Sequence, residues 1–197
     1  MISFCVIIRI FNALKAWRTQ VSTRLKLLCP LLLAPILWTT GVPLYAATPS
    51  ETDKSVRAIV SGIISYTRWP ASLTTPPRLC IFSSSRYVGV LRSGDIGPTP
   101  WQAVVVSTEQ QALGASCDAI YFGNESAEEQ QKIIQRYQPR ALLSIAEQNS
   151  QCIVGSAFCL SINSERVKFS VNLDALSRSG VRVNPDVLML ARNKKHE

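Results

Sequence analysis

The sequence predicts a single α/β domain: a mixed, mostly parallel sheet flanked by helices, with a C-terminal antiparallel hairpin and enough cysteines for two disulfides. Three observations lead there. Short apolar runs of strand formers alternate with helical patterns through the middle of the chain, which is the order of strand–helix–strand units. Two further runs near the C-terminus stand three residues apart, a hairpin spacing. No repeat, linker or low-complexity tract divides the chain, so one core is the economical arrangement.

The elements follow in order. Val56, Ile59, Val60, Ile63 and Ile64 recur at three- and four-residue spacing and predict an amphipathic helix over residues 54–66. Trp69-Pro70 and Thr74-Thr75-Pro76-Pro77 break that pattern, because proline disfavours helix at the residue before it, so a loop is expected here. Arg78–Phe82 reads as the first strand, residues 86–91 as a brief helical segment, and Gly94, Gly97, Pro98 and Pro100 as a long turn. Residues 103–106 and 117–123 read as buried strands. Ser126-Ala127-Glu128-Glu129 has the capping-box form and opens a helix to about Tyr137, with Ile133, Ile134 and Tyr137 facing inward. Residues 141–145 close a strand–helix–strand unit. Residues 157–162 and 166–171 form the hairpin around Asn163-Ser164-Glu165. Asn172 caps a short helix over 173–179 that Gly180 stops. Residues 181–183 make a last strand, and Pro185 opens a terminal helix whose Val187, Leu188 and Leu190 are expected to pack on the sheet.

The first 50 residues hold no Asp or Glu but carry Arg9, Lys15, Arg18, Arg24 and Lys26 ahead of an apolar stretch over 27–38. Basic, then apolar, then small residues at Ala46 and Ala47 is the order of a secretory signal. We expect residues 1–46 to be a signal peptide with an over-long basic start, and 47–197 to be the working domain. The apolar stretch falls short of the roughly 20 residues of a membrane span and is broken by Pro30 and Pro35. Cleavage takes away five of the 21 Lys and Arg and none of the 13 acids, leaving 16 against 13, a net charge of +3. The high pI thus belongs mostly to the signal, and no nucleic-acid partner is expected.

Cys5 and Cys29 leave with the signal, whereas Cys80, Cys117, Cys152 and Cys159 remain, an even number in a compartment where thiols oxidise. Four cysteines allow three pairings. A Cys152 to Cys159 bond would be a local staple worth about 2.5 kcal/mol by loop entropy, and a Cys80 to Cys117 bond about 4 kcal/mol. A zinc site is disfavoured by the lack of C-x-x-C and by a single histidine, His196, in the tail, and no metal is expected.

Catalysis finds little support. Gly155-Ser156-Ala157 is no nucleophile elbow, His196 is the only histidine base, and no glycine-rich phosphate loop follows a strand. Glu128 and Glu129 suit the start of a helix electrostatically without chemistry. An enzyme would require carboxylates such as Asp118 and Asp174 to meet in the fold; the expectation is no enzyme and no cofactor. Arg68 beside Trp69, and Arg182 two residues before Asn184, are candidate ligand-binding residues, because guanidinium and indole groups hold anionic or aromatic molecules by bidentate bonds and stacking.

Several segments together resemble the YfiR family of periplasmic regulators: residues 60–70, 79–82, 120–123, 152–160 and 171–181. The resemblance spans nearly all of 47–197, and only the long basic start departs from it. It implies a negative regulator that binds the periplasmic domain of an inner-membrane diguanylate cyclase and lowers cyclic-di-GMP, favouring motility over biofilm. It implies release by an OmpA-like outer-membrane lipoprotein under envelope stress, or by reduction. It also implies a homodimer and the pairings Cys80 with Cys117 and Cys152 with Cys159. A small-molecule sensing module is the alternative.

Overall fold

Strands whose residues are apolar on both sides of the pleat can only sit between two layers of helix. The chain meets that demand in a computed structural model, which describes residues 48–70, 73, 75–94, 99–163 and 166–189. In β2 (Arg78–Phe82), Leu79 and Ile81 point to one face while Cys80 and Phe82 point to the other. In β4 (Ala119–Phe122), Ala119 and Tyr121 alternate with Ile120 and Phe122 in the same way. The first face is covered by α1 (Glu51–Ser65), which buries Val56, Val60, Ile63 and Ile64 and starts at a Ser50 capping box. The second is covered by α3 (Glu109–Gly114) and α4 (Ala127–Tyr137), through Ala112, Ile133 and Tyr137.

The main sheet has six strands in the order β3-β2-β4-β5-β6-β7. Here β3 is Gln102–Val106, β5 Leu143–Ala146, β6 Phe158–Ile162 and β7 Val167–Val171. The first five run parallel, and β7 returns antiparallel as the second arm of the expected hairpin. Direction reverses at β2, where the route leaves through α2 (Val88–Leu91) on the first face and comes back through α3 on the second, as right-handed crossovers require. Pairing is uneven: β6 and β7 match over five positions, but β5 and β6 match only at Ile145↔Phe158 and Ala146↔Cys159 before they part.

The structure changes several expectations. The stretch after α1 includes β1 (Thr67–Arg68) where a loop was expected, and the last strand, β8 (Arg182–Val183), pairs antiparallel with it as a separate two-stranded ribbon. Neither strand advertises itself, because two residues are too few to show a period. Helix α3 was missed: Thr108 caps it, but its six residues include only one buried side chain. The segment over 86–91 shortens to α2, and α5 spans Leu173–Arg178, with Gly180 at φ 74° just beyond its end. The described start of the terminal helix is a 3-10 turn, Pro185–Leu188, with Met189 helical after it; it buries Val187 but leaves Leu188 50 % exposed. Leu190, His196 and residues 1–46 lie outside the described residues.

In open α/β sheets, ligands bind beyond the carboxyl ends of the strands where direction reverses. Here that crevice is filled by its own loops. Ser84 Oγ donates to Glu125 Oε1 at 2.7 Å, and Gly123 N–H donates to Glu125 Oε2 at 2.8 Å. A Cβ on Gly123 would lie 2.3 Å from the Ser85 nitrogen, so only glycine lets the two loops meet. We expect Gly123→Ala to destabilise by about 1–3 kcal/mol, as overpacking does, measured by urea denaturation; an unchanged midpoint would show that the crevice is loose.

Candidate functional site

With the crevice closed, the features that face outward are the disulfide loop and the two-stranded ribbon. The cysteines pair as Cys80 with Cys117 and Cys152 with Cys159, each with Cα atoms 5.7 Å apart. Cys80 and Cys117 belong to the packing under α3 and α4, so this bond ties β2 to the entry of β4 inside the core. The other bond closes a surface loop that leads into β6.

That loop is held from within by one amide. Gln130 is fully buried on α4, in line with Ile133 and Tyr137. Its Nε2 donates to the Glu125 carbonyl at 2.8 Å, and its Oε1 accepts from Ser156 Oγ at 2.9 Å and Asn149 Nδ2 at 3.1 Å. Asn149 Nδ2 also donates to the Val154 carbonyl at 2.7 Å, and Cys152 N–H donates to Asn149 Oδ1 at 3.2 Å. Cys152 and Gly155 both sit in the left-handed region, at φ 52° and 88°. For Gly155 the reason is contact: a Cβ would lie 2.8 Å from Gln130 Oε1. So braced, the loop shows solvent Ile153, 71 % exposed, and Val154, 41 % exposed. Asn172 Nδ2 donates to the Ile153 carbonyl at 2.8 Å, which brings up Leu173, 74 % exposed, at the start of α5. Large aliphatic side chains left in water on a rigid frame are the mark of an interaction surface.

The four candidate ligand residues gather at the ribbon. Arg68 and Arg182 face each other in register, and Asn184 N–H donates to the Tyr66 carbonyl at 2.9 Å. Both arginines are exposed, and like charges directly opposite in a strand pair repel. Arg68 turns one nitrogen to the Ser65 and Thr67 carbonyls, capping α1. Trp69 spends its indole N–H on the Asp118 carbonyl at 3.0 Å and is half-buried beside a hollow of about 310 Å³ that Arg68 also lines. Asn184 uses its side chain to cap the 3-10 turn. The two aspartates weighed for catalysis serve local structure: Asp118 accepts from Arg78 N–H, and Asp174 pairs with Arg178 one turn along α5. Among the described residues no group of His, Cys, Asp and Glu could hold a metal ion.

Two residues of the interior escaped sequence reasoning: Gln130 and Glu147. Glu147 is buried at the end of β5, where it accepts from Ser85 Oγ at 2.8 Å and from Arg86 N–H at 2.9 Å. Gln130 had a visible signal, a polar residue on the apolar stripe of an amphipathic helix. Glu147 had none, since its donors are 61 and 62 residues away in sequence.

A scan against family models matches residues 53–192 to the description YfiR/HmsC-like, which covers the larger part of the chain. The chain belongs to the YfiR/HmsC-like family. This family comprises periplasmic, non-catalytic regulators of diguanylate cyclase, and interaction with a cyclase follows at that level. Among the described residues no helix is long and apolar enough to cross a membrane.

The buried tyrosine provides a test of the interior. Tyr121 is fully buried beside Glu147; burial first, and the charge of that carboxylate second, push its pKa well above the usual 10. The folded state therefore resists an ionisation that the unfolded chain undergoes near pH 10. The stability this contributes is complete below pH 10 and is lost as the pH climbs past it. Tyr121→Phe should flatten that alkaline loss. Urea midpoints at pH 7 and pH 10.5 check this; an equal alkaline slope in the variant would contradict the assignment.

Proposed function

We propose that residues 47–197, freed of the 1–46 signal, bind the periplasmic domain of an inner-membrane diguanylate cyclase and hold it inactive. Free regulator then means low cyclic-di-GMP and less biofilm. The family match over residues 53–192 carries this reading. Two disulfides support it, because an extracytoplasmic domain of this size gains about 2.5–4 kcal/mol from each. The exposed Ile153, Val154 and Leu173 supply apolar surface of the kind a protein partner covers. Release follows capture by an OmpA-like outer-membrane lipoprotein or reduction of a disulfide, and the working form is a homodimer.

Deleting the gene should raise cyclic-di-GMP, and restoring the wild-type chain should lower it again. Cys152→Ser should cost about 2.5 kcal/mol in denaturant melts and move cyclic-di-GMP towards the deletion level. Unchanged cyclic-di-GMP on deletion would overturn the repressor reading, while an unchanged level in the melted-down variant would remove only the redox arm.

The register of Arg68 against Arg182 favours a second reading, a small-molecule sensing role in which an anion relieves the repulsion between them, Trp69 stacks on the ligand and Asn184 adds a hydrogen bond. Calorimetry against anionic and aromatic metabolites should show heat that Arg182→Ala abolishes. No heat with the wild-type chain would refute it.

A further inference from the structure

The sheet contains a slot that its own strands leave open. Strand β6 pairs with β7 along its whole length, but with β5 only at Phe158 and Cys159. Past that point β5 ends and its chain turns away through Glu147, so Leu160, Ser161 and Ile162 are paired on one side alone. A groove of about 830 Å³ lies against these three residues. Ile153 and Val154 of the exposed loop also line it, as do Glu128 and Glu147.

Each feature narrows the occupant. A half-paired strand offers unpaired N–H and C=O groups at strand spacing, which only another extended backbone matches along its length. Apolar Ile162 and Val154 along the groove suit a segment with apolar residues at alternate positions. Glu128, exposed where it lines the groove, forms no ion pair among the described residues, so a cationic side chain is its complement.

We infer that this slot receives an extended segment of the cyclase partner, apolar at alternate positions and bearing Lys or Arg, which adds as a strand beside β6. The inference rests on the repressor reading and names the contact through which repression would act. The brace from Gln130 and the Cys152–Cys159 bond then has a specific use: it holds in shape the loop that lines the slot.

The test is co-purification of the tagged full-length chain with the membrane-embedded cyclase. Val154→Asp and Glu128→Lys should each reduce capture about tenfold or more with unchanged melting, and Ile162→Asp should reduce it with lower melting because Ile162 also packs on the core, whereas Val105→Asp on the β3 edge should leave it intact. Hydrogen exchange of the complex should slow at residues 160–162 and not across β3. Failure of the wild-type chain to capture the cyclase would sink the repressor reading and this inference together. Wild-type capture that survives all three groove variants, or protection at β3 in place of 160–162, would overturn the slot alone. Protection at 160–162 that grows with the concentration of the regulator by itself, and not with cyclase, would give the slot to a second copy and overturn the assignment.

Discussion

The constraint on which everything else depends is that β2, β4 and β5 have no face for water. Parallel strands buried on both sides must be covered by helix above and below, and α1 on one side and α3 with α4 on the other do this. Once both faces are taken, what remains for contact with other molecules is the ends of the strands, the sheet edges and the loops. The carboxyl-end crevice at β2 and β4, where such sheets commonly bind small ligands, is closed by Ser84, Gly123 and Glu125 bonding to one another. In the last third of the chain the parallel order breaks into the β6–β7 hairpin.

Within that last third, the disulfide loop leaves large side chains in water. Leaving Ile153 in water forgoes about 1.5–3 kcal/mol of hydrophobic stabilisation, and the left-handed Cys152 adds strain on the order of 1 kcal/mol. These costs are offset by the disulfide and by the buried bonds of Gln130 with Ser156, Asn149 and Glu125. The two disulfides therefore differ in kind. The bond at Cys80 joins elements that the core already holds, whereas the bond at Cys152 closes the loop that exposes Ile153 and Val154. Membership in the YfiR/HmsC-like family gives this surface a context, since a non-catalytic regulator acts by what it touches.

Much of this was legible beforehand. The helix α1, the capping box at Ser126, the strands β2, β4 and β5, the hairpin and the Asn172 cap all have local causes: a 3.6-residue stripe, a side chain within reach of its own backbone, a three-residue turn. The elements that were missed have causes outside their own segments. Thr67–Arg68 is a strand only because Arg182–Val183 lies beside it, 115 positions away. Leu188 continues an apolar pattern yet is half exposed, since the described turn directs Val187 inward.

The sequence by itself determined the layers of this protein, the even number of cysteines and the lack of a usual catalytic constellation, because patterning, capping and residue inventory act within a few positions of chain. Only the tertiary structure decided which cysteines met, that Arg68 would confront Arg182, that Glu147 would be satisfied by Ser85 and Arg86, and that β5 would leave β6 half paired. These are meetings between residues distant in sequence. They depend on how far each strand runs before it turns away, and no local pattern of side chains encodes that length.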